Sequence, residues 1–155
     1  MPVANIKLTK NFSLPELAFS QTAVDHNLEN IPNEKEIKNL RLLCEKILQP
    51  ARDALGPLKV NSAFRSEKVN NLVGGVPNSD HRLGYAADVV PLIVGTRDLA
   101  VWVVKNVPVF DQVILEFGTA ENPRWIHLSI APKNRKQVLI ARKVGGKTKY
   151  EPITL

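Results

Sequence analysis

An α+β architecture follows from three features of the chain. Helical spacing dominates residues 33 to 55, where Ile37, Leu40, Leu43, Cys44, Ile47 and Leu48 recur at three- and four-residue intervals. Strand-like runs dominate the C-terminal half, over 110 to 117, 124 to 130 and 137 to 144, with 149 to 153 as a fourth. The loops between these runs are of moderate length, as neighbours in an antiparallel sheet allow. Finally, 155 residues with 44% hydrophobic content can bury a core without staples, and no repeat, low-complexity tract or linker divides them. The expectation is one domain over 1–155, with N-terminal helices packed on a mainly antiparallel sheet.

In chain order, Ser13-Leu14-Pro15-Glu16 carries a capping-box pattern and predicts a short helix. Residues 20 to 32 are polar and irregular, which predicts a surface connection, and His26 within it reads as an exposed loop histidine. Asn33 with Glu36 three residues later opens the long helix. Pro50 is expected to kink or interrupt it, and Gly56 before Pro57 to end it. Residues 58 to 64 alternate as a strand does, and Ser66 can cap a short helix from Glu67 to Val73, closed by Gly74-Gly75. Thr96 can cap a further helix whose apolar side holds Leu99, Val101, Trp102, Val103 and Val104.

The formal charge is +6, with a pI near 9.6, which favours an anionic partner such as nucleic acid or a cell wall rich in carboxylates and phosphate polymers. Nucleic acid has the weaker case. Aromatic residues that could stack on bases make up only 6%, and the basic residues are scattered apart from seven Lys or Arg between Lys133 and Lys149. A solvated basic face with no dedicated ligand explains that tail equally well. The single cysteine, Cys44, excludes an intramolecular disulfide and sits among apolar helix positions as a small hydrophobe. No apolar run is long enough for a membrane span, and the N-terminus lacks the apolar segment of a secretory signal. The expected route is therefore synthesis in the cytoplasm, with delivery to any external substrate by another agent.

The chemistry concentrates in Ser79-Asp80-His81-Arg82-Leu83-Gly84-Tyr85-Ala86-Ala87-Asp88, which reads as a loop feeding the apolar string Val89-Val90-Pro91-Leu92. A neutral imidazole and a carboxylate are both zinc ligands, and His127, in the strand-like Arg124-Trp125-Ile126-His127-Leu128-Ser129, can supply a third. Three protein ligands leave a fourth position open, as catalytic rather than structural zinc sites do. Taken alone, a histidine with a nearby aspartate is more often a hydrogen-bonded pair than a metal site.

Four separated motifs change that reading. The Ser-x-His-x-x-Gly-x-Ala-x-Asp pattern, the upstream Ser62-Ala63-Phe64-Arg65-Ser66, the segment Asp111-Gln112-Val113-Ile114-Leu115-Glu116 and the closing Trp125-Ile126-His127-Leu128-Ser129 stand in one order. Together, from about Asn11 to about Ala131, they resemble the zinc D-alanyl-D-alanine carboxypeptidase family. That family includes phage endolysin peptidases and shares its zinc fold with the vancomycin-resistance D,D-dipeptidases and the hedgehog signalling domain. The resemblance implies a hedgehog-like zinc fold and a peptidase acting on peptidoglycan stem peptides. One Zn2+ per chain is then held by His81, Asp88 and His127. It also places Arg65, Ser79 and Gln112 against substrate, Arg65 as the receptor of a carboxylate or carbonyl.

Family members often carry an acidic residue three positions before the last histidine, where this chain has Arg124. Glu116 is the substitute expected as general base: it matches short, phage-like relatives, it lies in an apolar run, and a hairpin of 110–117 with 124–130 would bring it beside His127. Asp111 is a candidate acceptor for a ligand imidazole. The resulting expectation is a monomeric phage or prophage lysin reaching the wall through a holin or on a virion, an endopeptidase rather than a D-Ala-D-Ala carboxypeptidase. Two other readings stand beside it, a non-catalytic, hedgehog-like zinc module that binds cell wall, and a basic nucleic-acid-binding domain.

Overall fold

The computed structural model describes residues 2–155. A small antiparallel ribbon, β1 (Lys7–Thr9) and β2 (Phe12–Ser13), leads into α1 (Leu14–Leu17), α2 (Gln21–Asp25) and α3 (Glu34–Leu43). A π-helical turn over Cys44–Leu48 joins α3 to α4 (Gln49–Leu55). Then come β3 (Leu58–Ser62), α5 (Glu67–Leu72), α6 (Asp80–Leu83), β4 (Ala86–Pro91) and α7 (Thr96–Asn106). The chain finishes with β5 (Gln112–Gly118), β6 (Pro123–Ser129), β7 (Gln137–Val144) and β8 (Lys147–Pro152).

Local chemistry accounts for most of the helix starts. Ser13 Oγ accepts the Glu16 N–H at α1, and Asn33 with Glu36 closes a reciprocal capping box at α3, with bonds of 2.8 and 2.9 Å. Ser66 Oγ likewise accepts the Val69 N–H at α5. Pro50 interrupts the regular α-helix without stopping it. The helix widens ahead of it, the Gln49 N–H reaching back five residues to the Cys44 carbonyl, which absorbs a ring that would crowd the carbonyl of Lys46. Gly56 ends α4 at φ 91, where a Cβ would meet Ile93 Cδ1 at 2.7 Å.

Two local expectations need correction. The segment 20–32 is not irregular throughout: Ser20 Oγ accepts the Ala23 N–H and starts α2, a helix with one buried residue and hence no apolar period to read. Within the same segment Asn30 is buried, donating to the carbonyls of Ala18 and Phe64 and accepting the Ser66 N–H. The cap of α7 is Gly95 rather than Thr96, its N–H bonded to the Asp98 carboxylate.

The main sheet has six strands in the order β3-β4-β6-β5-β7-β8. Every pair is antiparallel except β5 and β7, which run parallel because the chain, after descending β6, returns on the far side of β5. Asp111 secures that return. Its carboxylate accepts the backbone N–H, Nε and Nη2 of Arg135, each at 2.9 Å. The buried apolar cluster includes Leu40, Leu43 and Ile47 from the helical half, Leu99 and Val103 from α7, and Val89, Leu115 and Leu128 from the sheet. Cys44 is fully buried in it, and burial pushes its thiol up to about 12, as befits a small hydrophobe.

Candidate metal centre

Strand pairing brings most of the candidate residues to one face. Residues opposite one another in register share a face of the sheet. Asp88 on β4 stands opposite His127 on β6, and His127 opposite Ile114 on β5. The next pair along the same face is Glu116 with Trp125. A register irregularity in β3 between Val60 and Ser62 then sets Ser62 opposite Asp88.

His81 comes from α6, one helical turn where the sequence reads as a loop. Ser79 Oγ caps it by accepting the His81 N–H at 3.2 Å, and Gly84 ends it at φ 83. A Cβ on Gly84 would lie 2.7 Å from the Glu36 carbonyl oxygen, so the glycine of the motif is required by the close approach of α3. Arg82 Nη1 donates to Glu36 Oε2 at 2.5 Å, and Asn39 Nδ2 donates to the Leu83 carbonyl at 2.9 Å. Glu36 thus caps its own helix with one oxygen and holds α6 with the other. With its outer side fastened, the turn presents His81 inward, 4% exposed.

His81 Nδ1 donates to the Ala63 carbonyl at 2.7 Å, which fixes the tautomer and leaves the Nε2 lone pair free. That Nε2 lies 3.4 Å from Asp88 Oδ1, and His127 Nδ1 lies 3.1 Å from the same oxygen. The three ligand atoms fall within 4.8 Å of one another. Ligands at 2.0–2.1 Å from a tetrahedral zinc stand about 3.3 Å apart, so the donor set fits that ion. The electrostatics agree with a cation site. Burial works to raise the Asp88 pKa, but the two imidazoles outweigh it and hold the carboxyl well below its usual range. Burial likewise opposes charge on His127, and Asp88 with Glu116 and Asp80 outweighs it upward.

These residues floor an open cleft of about 800 Å³, which Arg65, Ser79, Gln112 and Glu116 also line. Glu116 is a diagonal neighbour of His127 rather than its direct partner; Trp125 stands opposite it and donates from Nε1 to Oε2. Burial, then the Asp88 charge, raises the Glu116 pKa. Arg65 donates from Nη2 to Ser79 Oγ at 3.3 Å, while its buried Nε has no partner. Gln112 is bound by Nε2 to Gln137 Oε1 at 2.9 Å. Asp111 does not serve a ligand imidazole, since Arg135 occupies its carboxylate and the Ala63 carbonyl fills that role for His81.

A family model for peptidase M15 matches residues 10–129. The chain belongs to the M15 peptidases. Members of this family are zinc-dependent, and the His81, Asp88 and His127 cluster lies within the matched segment. No curated protein matches the chain significantly. Several residues of this M15 cleft escaped the sequence reading. Asp80 sits beside His81 in the motif, and burial, against the pull of His127, raises its pKa. Trp125 stood in the closing motif, with no role assigned to its side chain. Arg135, Leu139 and Tyr150 lie beyond residue 129, so only the sheet register reveals them. Among the described residues no helix is long and apolar enough to cross a membrane.

Proposed function

We propose that this M15 chain is a zinc peptidase that hydrolyses a peptide bond within the stem peptides of bacterial peptidoglycan, acting as the lysin of a phage or prophage. In this reading residues 1–155 form one monomeric domain of hedgehog-like zinc fold, its N-terminal helices laid on the sheet. The observation that carries it is the convergence of His81 Nε2, Asp88 Oδ1 and His127 Nδ1 on the floor of an open cleft that also holds Glu116 and Arg65.

Zinc would be held by those three residues and would supply Lewis acidity toward a peptide carbonyl and toward the attacking water. Glu116 takes the proton of the attacking water and returns it to the leaving amine. Its Oε2 is occupied by Trp125, which leaves Oε1 for the proton, and its raised pKa suits a group that must both accept and release one. Arg65 orients the substrate. An unpartnered, buried Nε beside a forked pair of terminal nitrogens is a ready donor for a carbonyl or carboxylate oxygen, and Ser79 holds the fork in place. Gln112 presents its carboxamide to the same cleft from β5.

Lysis requires cutting stem peptides that bear load, and an open cleft of about 800 Å³ has room for peptide beyond the scissile bond, so endopeptidase action is favoured over removal of a terminal D-alanine. Mass analysis of pentapeptide muropeptides after digestion tests this. Zinc-dependent release of internal fragments is expected. D-alanine as the sole product would make the chain a carboxypeptidase, and no cleavage by zinc-loaded protein would refute the enzyme.

A further inference from the structure

The C-terminal hairpin of β7 and β8 lies outside the segment that matches the family, yet it walls the cleft with Leu139 and Tyr150. The strand registers draw one row across the face: Trp125 opposite Glu116, Glu116 opposite Ala141, Ala141 opposite Tyr150. Ala141 is fully buried and carries only a methyl group, so no side chain on that row stands between Glu116 and Tyr150. A tyrosine kept for packing buries its ring and bonds its hydroxyl. Tyr150 does neither: it is 52% exposed, and its hydroxyl has no hydrogen-bond partner among the described residues.

We propose that Tyr150 is a substrate-binding residue, its hydroxyl donating a hydrogen bond to a backbone carbonyl of the peptide at a position beyond the scissile bond. The inference rests on the peptidase reading above and extends it to a subsite. A neutral carbonyl is the acceptor because Glu116, across Ala141 from Tyr150, would repel a carboxylate; partial burial of the phenol, with that charge, raises its pKa and keeps it a donor. At a strand spacing of about 4.8 Å and a rise of about 3.3 Å per residue, the Tyr150 Cα lies roughly 10 Å from that of Glu116 and roughly 16 Å from that of His127, two residues along from Trp125. An extended peptide advances about 3.3–3.6 Å per residue. A ring leaning over Ala141 therefore meets the substrate about one to three residues from the bond held over the metal centre. Short peptides end before they reach it.

The test compares binding of a five-residue stem peptide and a two-residue D-alanyl-D-alanine probe to the zinc-loaded, full-length Glu116→Gln protein by calorimetry. The longer peptide is expected to bind more tightly, and Tyr150→Phe in the same background should weaken it about 3- to 10-fold, the range of one net hydrogen bond, without affecting the shorter probe. In the active enzyme the same change should raise KM for the long substrate by that factor and leave kcat within twofold. An unchanged affinity for the long peptide after Tyr150→Phe overturns the assignment and leaves the peptidase reading intact. So does an equal loss for both probes, or a loss that accompanies a lowered Tm, since each marks a structural effect. If neither peptide binds the parent protein, the peptidase reading falls and this inference with it.

Discussion

Replacing Glu116 by Gln isolates proton transfer from everything else the side chain does. Trp125 Nε1 donates to Oε2, and an amide oxygen accepts that bond equally well, so the side chain keeps its place over the cleft while losing its basicity. A positioned general base contributes on the order of 100- to 10,000-fold, so kcat should fall by that factor, or about 3–5 kcal/mol of barrier. Stability should move the other way. Burial and the Asp88 charge raise the Glu116 pKa, so folding favours its protonated form, and that preference is lost as pH rises through the raised value. At neutral pH the wild-type carboxylate is ionised at a cost that Gln does not incur, and the Tm of Glu116→Gln should equal or exceed that of wild type. The acid limb of the wild-type kcat profile should lie above the ordinary Glu value of 4.5, because activity fades as the base takes up its proton. Muropeptide turnover, read by chromatography with zinc content measured on the same samples, decides the matter. Turnover within a few-fold of wild type at full zinc occupancy would refute the assignment.

Wild-type protein should bind about one equivalent of zinc, and His81→Ala should lower the measured zinc affinity and abolish cleavage; a variant that holds zinc as tightly as wild type excludes His81 as a ligand. Arg65→Lys keeps the charge but loses the fork, so KM should rise several-fold with zinc content unchanged, by steady-state kinetics and metal analysis. Arg135→Ala leaves the nearly inaccessible Asp111 carboxylate with only a backbone donor; allowing for a half-exposed arginine, about 1–2 kcal/mol of stability should be lost in urea unfolding at neutral pH. Arg135 bonding lowers the Asp111 pKa, so this contribution is present above the ordinary Asp value of 3.8 and disappears as pH falls through the depressed one, where variant and wild type should converge.

The candidate ligand set His81, Asp88 and His127 was legible from the motifs that resemble the zinc carboxypeptidase family rather than from spacing alone, and the structure brings the three together. Asp88 and His127 occupy matching positions of strands that pair, and Gly84 marks the turn where α3 touches the backbone. The long helix was legible from its capping box and apolar period, and even the disturbance at Pro50 was anticipated, though not its form, since proline dictates a lost donor without dictating how the helix yields. Glu116 was expected beside His127 across the hairpin and stands there as its diagonal neighbour, the exact pairing with Trp125 being something a hairpin pattern does not specify. Asp111 illustrates a deeper limit. Its partner Arg135 lies 24 residues away, at the start of the return to β7, and nothing local announces that the return crosses to the far side of β5. Tyr150 was hidden for the same reason: its nearness to Glu116 arises from two successive strand pairings, one of them parallel.

The arginine at position 124 poses the remaining question, whether a base could work from where the family often keeps one. Pairing between β5 and β6 proceeds one to one from Gln112 and Ser129 to Glu116 and Trp125, and then, without an inserted residue, to Gly118 and Pro123. Along β6 a residue three positions from His127 points to the opposite face, whereas Trp125, two positions away, shares its face, although Phe117 at φ 61 breaks the alternation on β5 across from it. Arg124 accordingly is not among the residues lining the main cleft; it borders an adjoining groove with Gly118, Arg142 and Lys143 that shares Phe117 and Trp125 with that cleft. A carboxylate at 124 would then stand away from the metal centre, and in the proposed mechanism Glu116 serves as base from the neighbouring strand. Arg124→Glu should therefore leave kcat on muropeptides within a few-fold, and adding it to Glu116→Gln should restore no more than tenfold, both measured at equal zinc occupancy. Recovery beyond tenfold in the double variant would show that β6 can twist residue 124 into the site, and the argument from strand parity would fail.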